Sequence, residues 1–188
     1  IKSHKAQVIH SQYIRECVEI NDIIIPSPGI DIKPYLNIKP GFMTELDLFS
    51  LFIERPVIAV TGSAGKTTTV TLLSQILNKL GKRSIAAGNI GTPMMDVIER
   101  QEKYDYVVLE LSSFQLEHVR NFAPDIGIVL NIFPNHLDRH ENMEEYISSK
   151  GNIFKFQSEG QCAIAPLEIT DIFWPFIGKQ KVIWVGNE

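Results

Sequence analysis

Val57-Ile58-Ala59-Val60-Thr61-Gly62-Ser63-Ala64-Gly65-Lys66-Thr67-Thr68-Thr69 passes from an apolar run, through a glycine-flanked turn, into the start of a periodic segment. A run that is apolar on both faces suits a buried strand of a parallel sheet. The small residues after it let backbone N–H groups turn inward, and a helix starting at Lys66 adds its positive end, so the turn suits phosphate. In such a loop Gly62, Ser63, Ala64, Gly65, Lys66, Thr67 and Thr68 surround the nucleotide. Lys66 would bridge the terminal phosphates, and the Thr67 hydroxyl is placed to ligate Mg²⁺. The spacing is shorter than the common Gly-x-x-x-x-Gly-Lys-[Ser/Thr] loop, because Val60 stands where that pattern has its first glycine.

Outward from this loop, strands and helices alternate. Strands are predicted at 57–60, 84–87, 106–111, 127–132, 162–165 and 182–185. Helices are predicted at 66–80, stopped by Gly81, and at 144–156, with a third capped by Ser112 or Ser113 and running to about Arg120. Repeated βα units with non-alternating strands imply an α/β fold, a central parallel sheet with helices on both faces. Upstream, 12–18 reads as a helix and 23–25 as a short buried strand ended by Pro26-Ser27-Pro28-Gly29. Residues 45–53 read as a helix with Leu46, Phe49, Leu51 and Phe52 on its apolar side. Arg55-Pro56 breaks the pattern, and a domain boundary is placed there, separating 1–55 from 56–188.

The bulk properties exclude several classes. The chain has 188 residues, 44% hydrophobic and 21% charged, as in folded globular proteins. A formal net charge of −4 argues against a general nucleic-acid or membrane-surface binder. Cys17 and Cys162 lie far apart without metal-ligand spacing, and no signal peptide is recognisable, which points to a reducing, cytoplasmic setting. No apolar run reaches the roughly 18–20 residues of a membrane span. The chain opens on Ile1 rather than methionine, which reads as a piece of a longer protein.

The shortened loop resembles that of the Mur ligases and their folylpolyglutamate synthetase relatives. Further strings resemble the D-glutamate-adding branch of that family: Gly88-Asn89-Ile90-Gly91-Thr92-Pro93, Leu109-Glu110-Leu111-Ser112-Ser113-Phe114-Gln115-Leu116-Glu117, and Asn131-Ile132-Phe133-Pro134-Asn135-His136-Leu137-Asp138-Arg139-His140, followed by Tyr146 and Lys150. Ser27-Pro28-Gly29-Ile30 is similar to the family's loop near the uridine nucleotide. The match covers most of residues 22–165. Ala64 stands where relatives often have asparagine, Asn135 where aspartate is frequent, and the stretch from Gly29 to Thr44 looks short.

The resemblance implies a set of roles. Residues 1–55 would be the last part of a Rossmann-like, uridine-nucleotide-binding domain and 56–188 an incomplete ATP-binding domain, with an amino-acid-binding C-terminal domain absent. ATP and two Mg²⁺ would be used to join D-glutamate to UDP-N-acetylmuramoyl-L-alanine in a bacterial cytoplasm, by a monomer. Lys66, Glu110, His136 and Lys150 would be catalytic. Thr67 and Glu110 would hold one Mg²⁺, and His136 with Lys150, carbamylated by CO₂, the other. Ser27, Pro28, Gly29, Asn89, Ser112, Gln115 and His136 would face the muramoyl substrate. Read without the family, His136 is a loop histidine and Lys150 a solvated helix residue. A sister Mur ligase, a folylpolyglutamate synthetase and a phosphate-loop module without ligase activity are the alternative readings, and the chain alone is expected to have little or no ligase activity.

Overall fold

In the computed structural model, residues 23–28, 30, 32–35, 41–134, 140 and 142–186 are described. The helix expected at 12–18, with Cys17, Gly29 and His136, lies outside them. Six strands form one parallel sheet: β1 (Val57–Thr61), β2 (Ser84–Gly88), β3 (Tyr106–Glu110), β4 (Ile126–Val129), β5 (Cys162–Pro166) and β6 (Lys181–Val185). Their order is β2-β3-β1-β4-β5-β6. Strand β1 pairs with β3 on one side and β4 on the other, and all its residues are buried. Ile58 and Val60 pack on one face with Val70 and Val108, while Val57 and Ala59 pack on the other with Phe49, Leu116 and Phe154. Burial on both faces is why the sequence there is continuously apolar.

Helix α2 (Lys66–Lys79) follows the phosphate loop and covers one face of the sheet. The opposite face carries α1 (Glu45–Phe52), α3 (Met94–Ile98), the single-turn α4 (Ser113–Leu116) and α5 (Met143–Lys155), with α6 (Thr170–Phe173) beside β5. Helix α1 begins with a reciprocal cap: Thr44 Oγ1 accepts from Asp47 N, and the Asp47 side chain accepts from Thr44 N. The other Asp47 oxygen accepts from the amides of Arg120 and Asn121, tying α1 to the segment after α4.

Several expectations are corrected. Residues 23–25 do not form a buried strand: Ile24 makes one bridge to Phe42, and Ile23 and Ile25 are exposed. Of the four apolar residues expected on the buried side of α1 only Leu46 and Phe49 are buried, because Leu51 and Phe52 lie around the helix toward solvent. The segment after Ser112 is helical for one turn rather than to Arg120, since the Asp47 carboxylate draws off the amides of Arg120 and Asn121. Strand β4 ends at Val129 rather than Ile132, although the Leu130 amide still donates to Thr61 O and the Asn131 carbonyl accepts from Ser63 N.

Candidate active site

The site lies at the carboxyl ends of β1, β3 and β4, the position at which an open parallel sheet offers its crevice to ligands. Gly65 adopts φ 82° between β1 and α2, a left-handed conformation that suits glycine. The first intrahelical bond runs from Thr69 N to Gly65 O, so the amides of Lys66, Thr67 and Thr68 lie ahead of it at the helix N-terminus. Lys66 folds over the loop, its Nζ donating to Gly62 O at 2.8 Å and Ser63 O at 3.4 Å. A concentration of N–H groups with one ammonium is suited to a polyphosphate.

Glu110, at the end of β3, is 2% exposed. One carboxylate oxygen accepts from Thr67 Oγ1 at 2.8 Å and the other from Asn89 Nδ2 at 2.9 Å. Gly88 (φ 100°) brings β2 so close that an added Cβ would lie 2.4 Å from Glu110 O. Among the described residues no lysine or arginine pairs with Glu110, and its partners there are the neutral Thr67 hydroxyl and Asn89 amide. Such a carboxylate favours a nearby cation. With the Thr67 hydroxyl it offers hard oxygen donors of the kind Mg²⁺ takes.

Lys150 differs from the solvated residue that its type suggests. It is 2% exposed and shares the buried side of α5 with Tyr146, Ser149, Ile153 and Phe154. Its Nζ donates to Gly62 O at 3.0 Å and lies 4.7 Å from the Tyr146 ring centroid. Burial, and then the nearby Lys66 charge, lower its pKa from 10.5 to about 7. Tyr146, whose own pKa is raised by burial, reaches the loop by a 2.9 Å bond between its hydroxyl and Ser63 Oγ. His140 Nε2 lies 2.9 Å from Ser113 Oγ, with its ring stacked on Phe114 and edge-on to Tyr146.

The Lys150 shift has a measurable consequence for stability. Between pH 7 and the ordinary lysine value the unfolded chain holds a proton that the folded chain has released. Unfolding therefore takes up a proton in that window, so this group makes stability rise as pH increases from about 7, with its full penalty present below. Urea unfolding at pH 6.5 and 9 is expected to show higher stability at pH 9, and Lys150→Met to flatten the difference. An unchanged pH slope in the variant would contradict the assignment.

The remaining predicted contacts are more divided. Ser112 and Gln115 bond each other: Ser112 Oγ accepts from Gln115 N at 3.2 Å, and Gln115 Oε1 accepts from Ser112 N at 3.0 Å. They cap α4, while the Gln115 amide nitrogen remains as a donor. Asn89 spends its amide nitrogen on Glu110. A small cavity is lined by Ser27 and Pro28 together with Phe114, Gln115 and His118. Thus Lys66, Thr67, Asn89, Glu110 and Lys150 gather around the phosphate loop, and Ser27, Pro28 and Gln115 around the neighbouring cavity. Sequence reasoning gave no role to Asn131, whose side chain grips Ala64, nor to the Tyr146 hydroxyl, which bonds Ser63 Oγ; both partners lie far off in the chain.

A parallel sheet with a glycine-flanked loop and a helix after its central strand defines an α/β protein of the phosphate-loop class. The family model of the Mur ligase middle domain matches residues 60–183, and the chain belongs to the Mur ligase family. The UDP-N-acetylmuramoylalanine–D-glutamate ligase of Lawsonia intracellularis is 44% identical over 172 residues, which cover 87% of this chain and 38% of that protein. The enzyme of the same name from Oleidesulfovibrio alaskensis is 41% identical over 152 residues, covering 76% and 34%. The chain thus spans little more than a third of the length of these relatives. Among solved structures, MurF ligase from Thermotoga maritima in complex with ADP superposes with a TM-score of 0.57 at 18% identity, over 92% of this chain and 43% of that one. The UDP-N-acetylmuramate:L-alanyl-gamma-D-glutamyl-meso-diaminopimelate ligase from Neisseria meningitides gives 0.60 at 16% identity, over 94% and 61%. These last two likenesses concern the fold.

Proposed function

We propose that the protein carrying this chain joins D-glutamate to UDP-N-acetylmuramoyl-L-alanine at the expense of ATP, with residues 56–188 as its ATP-binding part and 1–55 as the end of a uridine-nucleotide-binding domain. The observation that carries this reading is the bridge Thr67–Glu110–Asn89, a buried carboxylate joining the start of α2 to the residue after β2. Identity to the D-glutamate ligases of several bacteria supports the choice of substrate.

The reaction proceeds in two displacements. An oxygen of the alanyl carboxylate attacks the γ-phosphorus of ATP, and the bond to the β-phosphate oxygen breaks, leaving an acyl phosphate and ADP. The D-glutamate nitrogen then attacks the acyl carbon, phosphate departs with the C–O electron pair, and the nitrogen loses a proton. The amides at the start of α2 and the Lys66 ammonium hold the phosphates and counter the charge that gathers on the β-phosphate. Thr67 and Glu110 would hold Mg²⁺, which would supply neutralisation of the phosphate charge. Ser27, Pro28, Asn89 and Gln115 orient the acceptor, with Ser112 fixing the Gln115 rotamer.

Lys150, with His136, belongs to the second Mg²⁺ position of this reading. A pKa of about 7 leaves roughly half of the amine neutral at pH 7, against about one part in several thousand at the ordinary value. Neutral nitrogen attacks CO₂, a N–C bond forms and the proton passes to water. The resulting carbamate presents anionic oxygen, the donor type Mg²⁺ prefers, where the amine presents nitrogen. The setting is the bacterial cytoplasm, and the protein acts as a monomer.

Amide formation by the full-length protein, followed by chromatography over a panel of amino acids and acceptors, tests the assignment. The expected product requires both D-glutamate and UDP-N-acetylmuramoyl-L-alanine. Selective use of another amino acid or a folate acceptor would move it to a sister enzyme. Nucleotide hydrolysis without amide would remove it from the ligases.

A further inference from the structure

The phosphate loop is held from behind by the first residues after β4. Asn131 Oδ1 accepts from Ala64 N at 2.9 Å, and Asn131 Nδ2 donates to Ala64 O at 3.1 Å, so one side chain takes both polar groups of a single residue, as a paired strand would. The Asn131 carbonyl also accepts from Ser63 N at 3.2 Å. Beside it, Ser63 Oγ donates to Phe133 O at 3.0 Å while accepting from Phe133 N at 2.9 Å. Leu130 closes the space beneath, where an added Cβ on Gly62 would lie 3.1 Å from Leu130 Cβ.

These bonds divide the loop into two halves. The amides of Ser63 and Ala64 are already engaged by the β4 segment, whereas those of Lys66, Thr67 and Thr68 lie ahead of the first helical bond. The Lys66–Thr68 amides can therefore meet an anion without breaking these bonds, whereas those of Ser63 and Ala64 cannot. Asparagine suits the clamp because its planar amide carries one donor and one acceptor side by side, matching the N–H and C=O of one residue. No other uncharged side chain of that length does so.

We propose that Asn131 is a positioning residue for nucleotide binding: it fixes the Ser63–Ala64 half of the loop so that the Lys66–Thr68 amides are pre-arranged for the β- and γ-phosphates. The inference rests on the reading of this loop as a nucleotide site, but not on which amide the protein makes. Because the clamp works before ligand arrives, its loss appears as weaker phosphate binding, as preorganisation requires.

The test is calorimetric titration of ADP and ATP, each with Mg²⁺, into the 188-residue chain and its Asn131→Ala variant, alongside the melting temperature of each without ligand. Two hydrogen bonds are removed, so affinity for both nucleotides is expected to fall roughly ten- to fiftyfold. Asn131→Asp keeps the acceptor for Ala64 N and loses the donor to Ala64 O, and is expected to lie between the two for ADP. The full-length variant is expected to show a raised KM for ATP with the KM for the uridine-sugar substrate within about twofold of the parent's. Nucleotide affinity unchanged within twofold in Asn131→Ala overturns the proposal, as does a variant whose nucleotide and uridine-sugar binding weaken equally while its melting temperature falls. If the unaltered chain binds no nucleotide, both this proposal and the reading of the loop fail. If it binds nucleotide through the clamp but the full-length protein forms no D-glutamyl amide, only the ligase reading fails.

Discussion

Lys66→Ala is expected to slow ATP-dependent amide formation in the full-length protein by about 10²–10³-fold, the usual cost of removing one preorganised donor from a charge-stabilising site. The ammonium is held over the loop by Gly62 O and Ser63 O rather than by a carboxylate. Exchanging two neutral carbonyls for phosphate oxygens is favourable, whereas breaking an ion pair would not be. The same substitution also removes a positive neighbour of Lys150, one of the two causes of its lowered pKa. A titration of Lys150 by ¹⁵N NMR is therefore expected to move upward in the variant. Wild-type rates with Lys66→Ala would rule out its assigned part in the chemistry.

Glu110→Gln is expected to separate activity from stability. The carboxylate is buried and its described partners are the neutral Thr67 hydroxyl and Asn89 amide. An amide of the same shape keeps an acceptor for Asn89 and can donate to Thr67 Oγ1, while the cost of burying a charge disappears. The melting temperature of the ligand-free chain should therefore hold or rise. Mg²⁺-dependent nucleotide binding, in contrast, loses its charged oxygen donor, and ligation should fall by about 10²–10³-fold. A variant that melts lower and ligates normally would mean that Glu110 serves the fold instead.

Much of this was legible from residue order. Strand β1 and the loop after it were readable because burial on both faces imposes a continuous apolar run, and because glycines at Gly62 and Gly65 have no other ready explanation beside Lys66. Lys150 was harder. Its residue type says surface, yet it stands four residues from Tyr146 and three before Ile153, on the stripe that α5 buries. Periodicity carried the signal and residue type obscured it. The end of α4 was not legible, because the carboxylate that takes the Arg120 and Asn121 amides comes from Asp47, far back in the chain. The Asn131 clamp escaped for the same reason: its partner is Ala64, and no local pattern links the two. Short-range regularity is visible in a sequence, whereas a side chain bonding a distant backbone becomes visible only when the strands are placed.

The most direct measurement is an anomalous difference map from crystals of the chain grown with ADP and Mn²⁺ in place of Mg²⁺. The expected result is a peak within coordination distance of both Thr67 Oγ1 and the Glu110 carboxylate, with the diphosphate against the amides that open α2. A nucleotide bound on another face of the sheet, or a metal peak touching neither residue, would contradict it.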